Sequence, residues 1–271
     1  MIERRSPVRT PRHGGALLLP AAAALLLSGC GASPASRADT GGASSGTTAA
    51  AAGKGPEATT YTATPAAPAD AHPQDGTDGT VVHPAAPLAV LDRPGGKAVA
   101  TLPARQLGGP TWVPVVETSG DWQRVLLPSR PNGSSGWIDG RTAGLRTARS
   151  PYAVRVELGE HRLTLTKEGA KVGSWPVGTG AAKTPTPQGR TFVLAQLAPA
   201  RESPSPLVLP LGAHSATLDS FGGGPGTVAL HGWPDKAVFG KAVSHGCVRV
   251  PADALRKLSE VPLGTLVLIS G

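Results

Sequence analysis

Of the ten aromatic residues in this 271-residue chain, only Tyr61 precedes residue 112. A segment so poor in large apolar groups cannot offset the entropy of ordering its backbone, so the first eighty residues are expected to stay unfolded. Folding then falls to the remaining stretch of about 190 residues, enough for one or two compact domains.

The extreme N-terminus has a different purpose. Arg4, Arg5, Arg9 and Arg12 precede an apolar run over 16–27 (ALLLPAAAALLL). That run has the length of a signal-peptide core and is too short to span a bilayer as a mature helix. Leu27-Ser-Gly-Cys30 follows directly and resembles the bacterial lipobox, whose cysteine is lipidated and becomes the new N-terminus. Residues 1–29 are therefore expected to direct export, and Cys30 to anchor the chain to the outer face of the cytoplasmic membrane, facing the cell wall. Ser6, Pro7 and Val8 do not continue Arg4-Arg5 into a twin-arginine signal. Residues 30–80, rich in Ala, Gly, Pro and Thr, read as a disordered tether with a root-mean-square reach of roughly 40 Å.

The net charge of +8 resides on residues 81–271, where basic side chains are scattered singly. No nucleic-acid motif accompanies them, so an anionic envelope polymer or a carboxylate-bearing substrate suits this charge better than nucleic acid.

Between 81 and 149, short β-like runs at 88–91, 98–102, 112–116, 122–127 and 136–138 alternate with turns such as Pro94-Gly-Gly96 and Pro131-Asn-Gly133. Five short strands in about 70 residues make a small barrel. Glu117-Thr-Ser-Gly-Asp-Trp-Gln-Arg-Val125, with Ser135-Gly-Trp-Ile138 after it, resembles a bacterial SH3-like domain. Its tryptophans serve either a wall-peptide site or, the reading favoured by the usual burial of Trp, the barrel core.

Residues 151–271 form a second β-rich unit. Alternation over 153–158 and 162–166 predicts a hairpin, and further strands are expected at 171–177, 192–197, 207–211, 227–230 and 265–269. Ala252–Glu260 is the convincing helix, with Pro251 near its start, Asp253 in its first turn, and Leu255 and Leu258 on one face. The fold class expected is mainly β, with one or two short helices. The proline-rich stretch from Pro199 to Pro210 reads as an irregular surface connection rather than a lid.

The chemistry concentrates between His231 and Arg249. With Cys30 lipidated, Cys247 has no disulfide partner in an oxidising compartment and is the first candidate for a working thiol. Cysteine becomes a nucleophile when an imidazole takes its proton, and a backbone pocket for the oxyanion completes the minimal kit for acyl transfer. His245, two residues away, and His231, at the end of a strand-like run, both qualify as partner. Zinc would find three possible ligands here, His231, His245 and Cys247, but no paired short spacing, so no metal or cofactor is expected. Trp233 and Phe239 either line a groove or pack in the core.

Ser244-His-Gly-Cys-Val-Arg249, preceded by His231-Gly232, Thr184-Pro-Thr-Pro-Gln-Gly189 and Val177-Gly-Thr-Gly180, resembles the L,D-transpeptidase catalytic-domain family, which cross-links peptidoglycan. The resemblance covers about 120 residues. It implies a cysteine-dependent acyltransferase with Cys247 as nucleophile and His231 as general base. His245 and Ser244 would organise the pocket, the amides of Gly246 and Cys247 would bind the oxyanion, and Arg249 would meet a substrate carboxylate, with Gly232 and Trp233 nearby in the substrate site. Some relatives carry serine after the base histidine; with Gly232 here, the acceptor orienting the ring must be a backbone carbonyl or another residue. The implied reaction is thioester formation on the diamino-acid carbonyl of a stem tetrapeptide, with release of terminal D-alanine and resolution by a second stem's amine. Resolution by water would make an L,D-carboxypeptidase instead, and a wall-binding lipoprotein without catalysis is the third reading. The resemblance also implies inhibition by carbapenem β-lactams. The imidazole is expected to hold Cys247 as a low-pH thiolate, and the protein to act as a monomer.

Overall fold

Glycine and proline break the chain into short extended runs, and these become strands in the computed structural model, which describes residues 55–199 and 203–271. Residues 1–29, Cys30 and the tether as far as residue 54 lie outside the described residues. The first region contains β1 (Thr80–Pro84), β2 (Leu88–Leu91), β3 (Ala98–Leu102), β4 (Arg105–Gln106), β5 (Gly109–Pro110), β6 (Val113–Ser119), β7 (Trp122–Leu126), β8 (Ser135–Asp139) and β9 (Leu145–Arg149). Seven of these form one antiparallel sheet in the order β3-β2-β8-β7-β6-β1-β9. The five expected runs become β2, β3, β6, β7 and β8. β1 and β9 pair with each other, Val82 opposite Thr147, and β9 shows no apolar alternation because its side chains are mostly exposed.

The second region contains β10 (Tyr152–Glu157), β11 (Arg162–Lys167), β12 (Ala170–Pro176), β13 (Gly178–Gly180), β14 (Gly189–Phe192), β15 (Val208–His214), β16 (Thr227–Gly232), β17 (Lys241–Ser244), β18 (Val248–Val250), α1 (Ala252–Leu258) and β19 (Leu266–Ser270). β10 and β11 form the expected hairpin, Val154 opposite Leu165. Two five-stranded sheets result, β12-β11-β10-β19-β14 and β15-β16-β18-β13-β17. Their apolar faces share one core, in which Val154, Leu163 and Val267 of the first sheet cluster with Leu209, Leu230 and Val248 of the second. Helix α1 buries Ala254, Leu255 and Leu258 against this core, as its spacing requires. Pro262 lies just beyond its last turn, where a helix interior would reject it.

The two regions are not independent beads. Along β14 and just after it, Val193 enters the second core while Phe192 and Leu194 turn the opposite way and join Val82, Val113 and Ile138 of the first sheet. Period-2 alternation thus serves two cores from one strand. Each such fully buried side chain contributes roughly 1.5–3 kcal/mol. Gly212 crosses directly over the Phe192 ring, and a β-carbon there would lie 2.6 Å from a ring atom.

The tether expectation fails from residue 55 onward. Residues 55–79 form an ordered strap over both regions. The amide of Ala58 donates to the Thr101 carbonyl at 2.7 Å and that of Thr101 to Pro56 at 2.9 Å, and Ala58 itself is buried in the first region's core. Further along, the amide of Thr64 donates to the Arg130 carbonyl and that of Ser135 to Pro68. The strongest fastening is the bidentate ion pair of Asp70 with Arg190 of β14, at 2.6 and 2.7 Å, with side chains only 2% and 3% exposed. The strap needs no aromatic core of its own because backbone pairing and one buried charge pair attach it to cores already built.

Candidate functional site

Strands β16 and β18 run side by side in parallel, with Leu230 opposite Val248 and His231 opposite Arg249. Alternation sends Val228, Leu230, Val248 and Val250 into the core and leaves His231 and Arg249 on the other face. Cys247 immediately precedes β18. Its half-buried thiol accepts a hydrogen bond from the Ala229 amide and feels the charge of Arg249. The pairing of β16 with β18 thereby sets Cys247 and His231, sixteen positions apart in the chain, on adjoining segments of one sheet.

His231 Nδ1 lies 2.9 Å from the carbonyl oxygen of Gly232. A carbonyl only accepts, so Nδ1 carries the proton and the neutral ring presents an unprotonated Nε2. Burial pushes His231 below the ordinary histidine range, opposed by this hydrogen bond and reinforced by Arg249. Burial likewise pushes the Cys247 thiol up, against the Ala229 hydrogen bond and the Arg249 charge, which favour the thiolate. The resting pair is therefore neutral thiol and neutral imidazole, which corrects the expected low-pH thiolate: desolvation outweighs the nearby cation.

Trp233 lies against His231 and Arg249. Its ring meets His231 edge-on at 5.9 Å, and the Arg249 guanidinium stacks 3.8 Å from its centroid. Arg249 has no carboxylate partner among the described residues, and its buried Nε lacks any hydrogen-bond acceptor. A cavity of about 480 Å³ opens beside Trp233, lined also by Pro204, Pro206, Leu207 and Leu255.

Two assignments change. Gly232 is not free to contact substrate: its carbonyl orients His231, its amide donates to Ser205 Oγ at 2.7 Å, and a β-carbon would press on Leu255 at 3.0 Å. The amide of Gly246 is not a free oxyanion donor, since it donates to Ser244 Oγ at 3.1 Å. Ser244 is buried and its hydroxyl also donates to the Cys247 carbonyl, so it closes the turn that presents the thiol. Gly246 is required there by its φ of 117°. His245 projects outward, exposed, and stacks on Phe221 at 5.2 Å.

The Thr184–Gly189 segment proves to be the buttress of this turn. Thr184 Oγ1 donates to the Ser244 carbonyl and buried Thr186 Oγ1 to the Gly246 carbonyl, each at 2.9 Å. Thr186 also accepts from the Gly180 amide, and a β-carbon on Gly180 would collide with Thr184 O at 2.3 Å. Among residues that sequence reasoning passed over, Ser205 and Phe221 carry no motif, whereas Thr186 lay within one. Phe239 is half-buried beside the 3-10 turn Lys236–Val238. Among the described residues no cluster of His, Cys, Asp and Glu could hold a metal ion.

Residues 151–269 match the family described as the YkuD L,D-transpeptidase catalytic domain. The Bacillus subtilis protein YkuD, whose name assigns it to the L,D-transpeptidases, is 29% identical over 151 residues, 54% of this chain and 85% of that protein. The Bacillus licheniformis YkuD is 30% identical over 154 residues, 55% of this chain and 86% of its own length. Among solved structures, the L,D-transpeptidase LdtMt1 in complex with imipenem is 17% identical, with a TM-score of 0.35, over 54% of this chain and 67% of that one.

Proposed function

Because the chain belongs to the L,D-transpeptidase catalytic-domain family, we propose that it cross-links peptidoglycan stem peptides through a thioester on Cys247. The observation that carries this reading is the hydrogen bond from His231 Nδ1 to the Gly232 carbonyl, which leaves Nε2 free to accept on the strand paired with β18, directly before which stands the half-buried Cys247. Since both groups are neutral at rest, the proton moves as the bond forms. Cys247 Sγ attacks the diamino-acid carbonyl of a tetrapeptide while its proton passes to His231 Nε2. The oxyanion is met by the Cys247 amide, the remaining candidate once that of Gly246 is engaged. The imidazolium then protonates the departing D-alanine nitrogen and the thioester is left. A second stem's amine attacks this thioester, loses its proton to Nε2, and the thiol is regenerated.

Arg249, stacked on Trp233 and without a carboxylate partner, suits the carboxylate of the leaving D-alanine, which a planar guanidinium grips with two hydrogen bonds. The sheet of residues 80–149 is read as an SH3-like module. Trp137 is buried within it, which favours core packing for that tryptophan, while Trp112 and Trp122 are half-buried. Lipid on Cys30 would hold the whole at the outer face of the cytoplasmic membrane. The test is incubation with a disaccharide tetrapeptide, following cross-linked dimer and tripeptide by mass spectrometry. Dimer formed by wild type and lost in Cys247→Ala supports the reading, and tripeptide alone identifies a carboxypeptidase. A carbapenem, which offers a strained amide to the same thiol, should add its mass to wild type and not to that variant.

A further inference from the structure

One side chain of the first region reaches the edge of the candidate site. Arg130 leaves the segment between β7 and β8 and donates to three carbonyls of the loop 215–226: Nη1 to Ser215 at 3.1 Å, and Nη2 to Leu218 at 3.3 Å and Pro225 at 2.9 Å. The loop is closed at its base by the Ser215 amide donating to the Gly226 carbonyl at 2.9 Å. Gly226 has a φ of 69°, and a β-carbon there would lie 2.2 Å from Leu218 O, so the carbonyls can converge on the guanidinium only with glycine at this corner. No residue from 216 to 225 is buried. The loop therefore keeps its course through polar contacts rather than core packing, and Arg130 supplies three of them.

The tip of this loop is a tight turn in which Phe221 and Gly224 exchange two backbone hydrogen bonds of 3.0 Å. Phe221 is 52% exposed and stacks on His245, two residues from Cys247. Arg130 is itself held: its amide donates to Thr62 O at 3.0 Å and its carbonyl accepts from Thr64 at 2.7 Å, while Asn132 exchanges hydrogen bonds with the backbone of His214 at 2.7 and 2.8 Å. Strap, first region and loop thus form one chain of contacts ending at an exposed aromatic ring that stacks on His245, two residues before Cys247.

We propose that Arg130 is a positioning residue for the transpeptidase site, holding the 215–226 loop so that Phe221 forms an aromatic wall against which the aliphatic part of the bound stem peptide rests. The proposal rests on the reading of Cys247 and His231 given above, and it makes the first region part of substrate recognition without any contact of its own to substrate. Arg130→Ala should lower kcat/KM for the tetrapeptide by about tenfold, chiefly through KM, within the range coupled sites commonly span. Phe221→Ala should do the same, the double variant should be no worse than either single one, and Arg130→Lys should recover part of the loss. Deuterium exchange at 216–225 should quicken in Arg130→Ala and remain unchanged at 227–232. Additive losses in the double variant, or unchanged loop exchange in folded Arg130→Ala, overturn the proposal. Should Arg130→Ala not fold, Arg130→Lys and Phe221→Ala carry the same comparison. Failure of the catalytic reading would appear separately, as wild type that does not turn over the tetrapeptide. The loop exchange, and the rate at which a bulky maleimide labels Cys247, would then still decide whether Arg130 sets the wall.

Discussion

His214 and His231 stand on neighbouring strands, β15 and β16, and burial pushes both rings below the ordinary histidine range, yet their surroundings assign them opposite work. The His214 ring is fully buried, with Nε2 2.8 Å from the Thr60 carbonyl and 3.0 Å from its hydroxyl, and Nδ1 enclosed without a partner. Its backbone is tied to Asn132. Everything it offers goes into joining strap, first region and second region. His231 commits only Nδ1, and its ring is partly open on the face shared with Arg249 and Trp233. Depressed basicity is common to both, so it does not by itself identify a catalytic base; the proposal for His231 rests instead on its uncommitted Nε2 and on the pairing of β16 with the strand that follows Cys247.

Exchanging the two is the sharpest way to break this comparison. His231→Gln should lower the rate of Cys247 acylation by ~10²–10⁴, the usual worth of general base catalysis, with little change in Tm. His214→Gln should leave acylation nearly intact and lower stability instead. Parallel acylation kinetics and thermal melts check both, and a catalytic loss confined to His214→Gln would reverse the assignment.

The joining role extends to the strap's charge pair. Asp70→Ala strands Arg190 in a buried site and should cost about 3–5 kcal/mol, measured by denaturant unfolding. An exposed pair would give less than about 1 kcal/mol, so a small loss would mean the strap is not fastened as described.

Acid sharpens the comparison further. A histidine that burial keeps neutral binds fewer protons in the native state than in the unfolded chain, so its stabilisation is present above the ordinary value of 6.5 and is lost as pH falls from there. Wild-type Tm should decline below that pH, and His214→Gln should show a shallower decline, with the residual slope coming in part from His231. An unchanged slope would remove His214 from the pH response.

The smallest effect concerns the thiol. With its pKa raised above the ordinary 9.0, Cys247 should react with iodoacetamide at a rate that climbs steeply on the alkaline side rather than holding a plateau into acid. Arg249→Gln removes a charge that favours the thiolate and should move the curve to still higher pH. A shift the other way would show that the guanidinium does not act on the sulfur.

Much of the site was legible because it is written locally. Ser244 to Arg249 and His231-Gly232 carry their chemistry in residue type, and with glycine after His231 the acceptor behind the ring had to be a backbone carbonyl or another residue, a choice that the structure makes in favour of the Gly232 carbonyl. Thr184 to Gly189 was legible as a motif of the family resemblance but not as the buttress holding Ser244 and Gly246, because a hydroxyl's partner is not encoded in its neighbours. The amide of Gly246 was misassigned for the same reason, since Ser244 Oγ reaches it only once the turn is closed.

Period-2 alternation in 153–166, the spacing of Leu255 and Leu258, and the glycine and proline breaks determined a mainly β chain with one short helix, for apolar side chains sort themselves by the period of the backbone that carries them. Alternation cannot say which core a strand face will meet, so Phe192 and Leu194 joining the first region was decided by tertiary packing. Nor can it register residues 55–79, whose order comes from backbone pairing with Thr101 and Arg130 and from the Asp70–Arg190 ion pair. Those interactions connect residues far apart in sequence and exist only after both cores have closed, because a polar group is held in place by its partner and not by its own hydrophobicity.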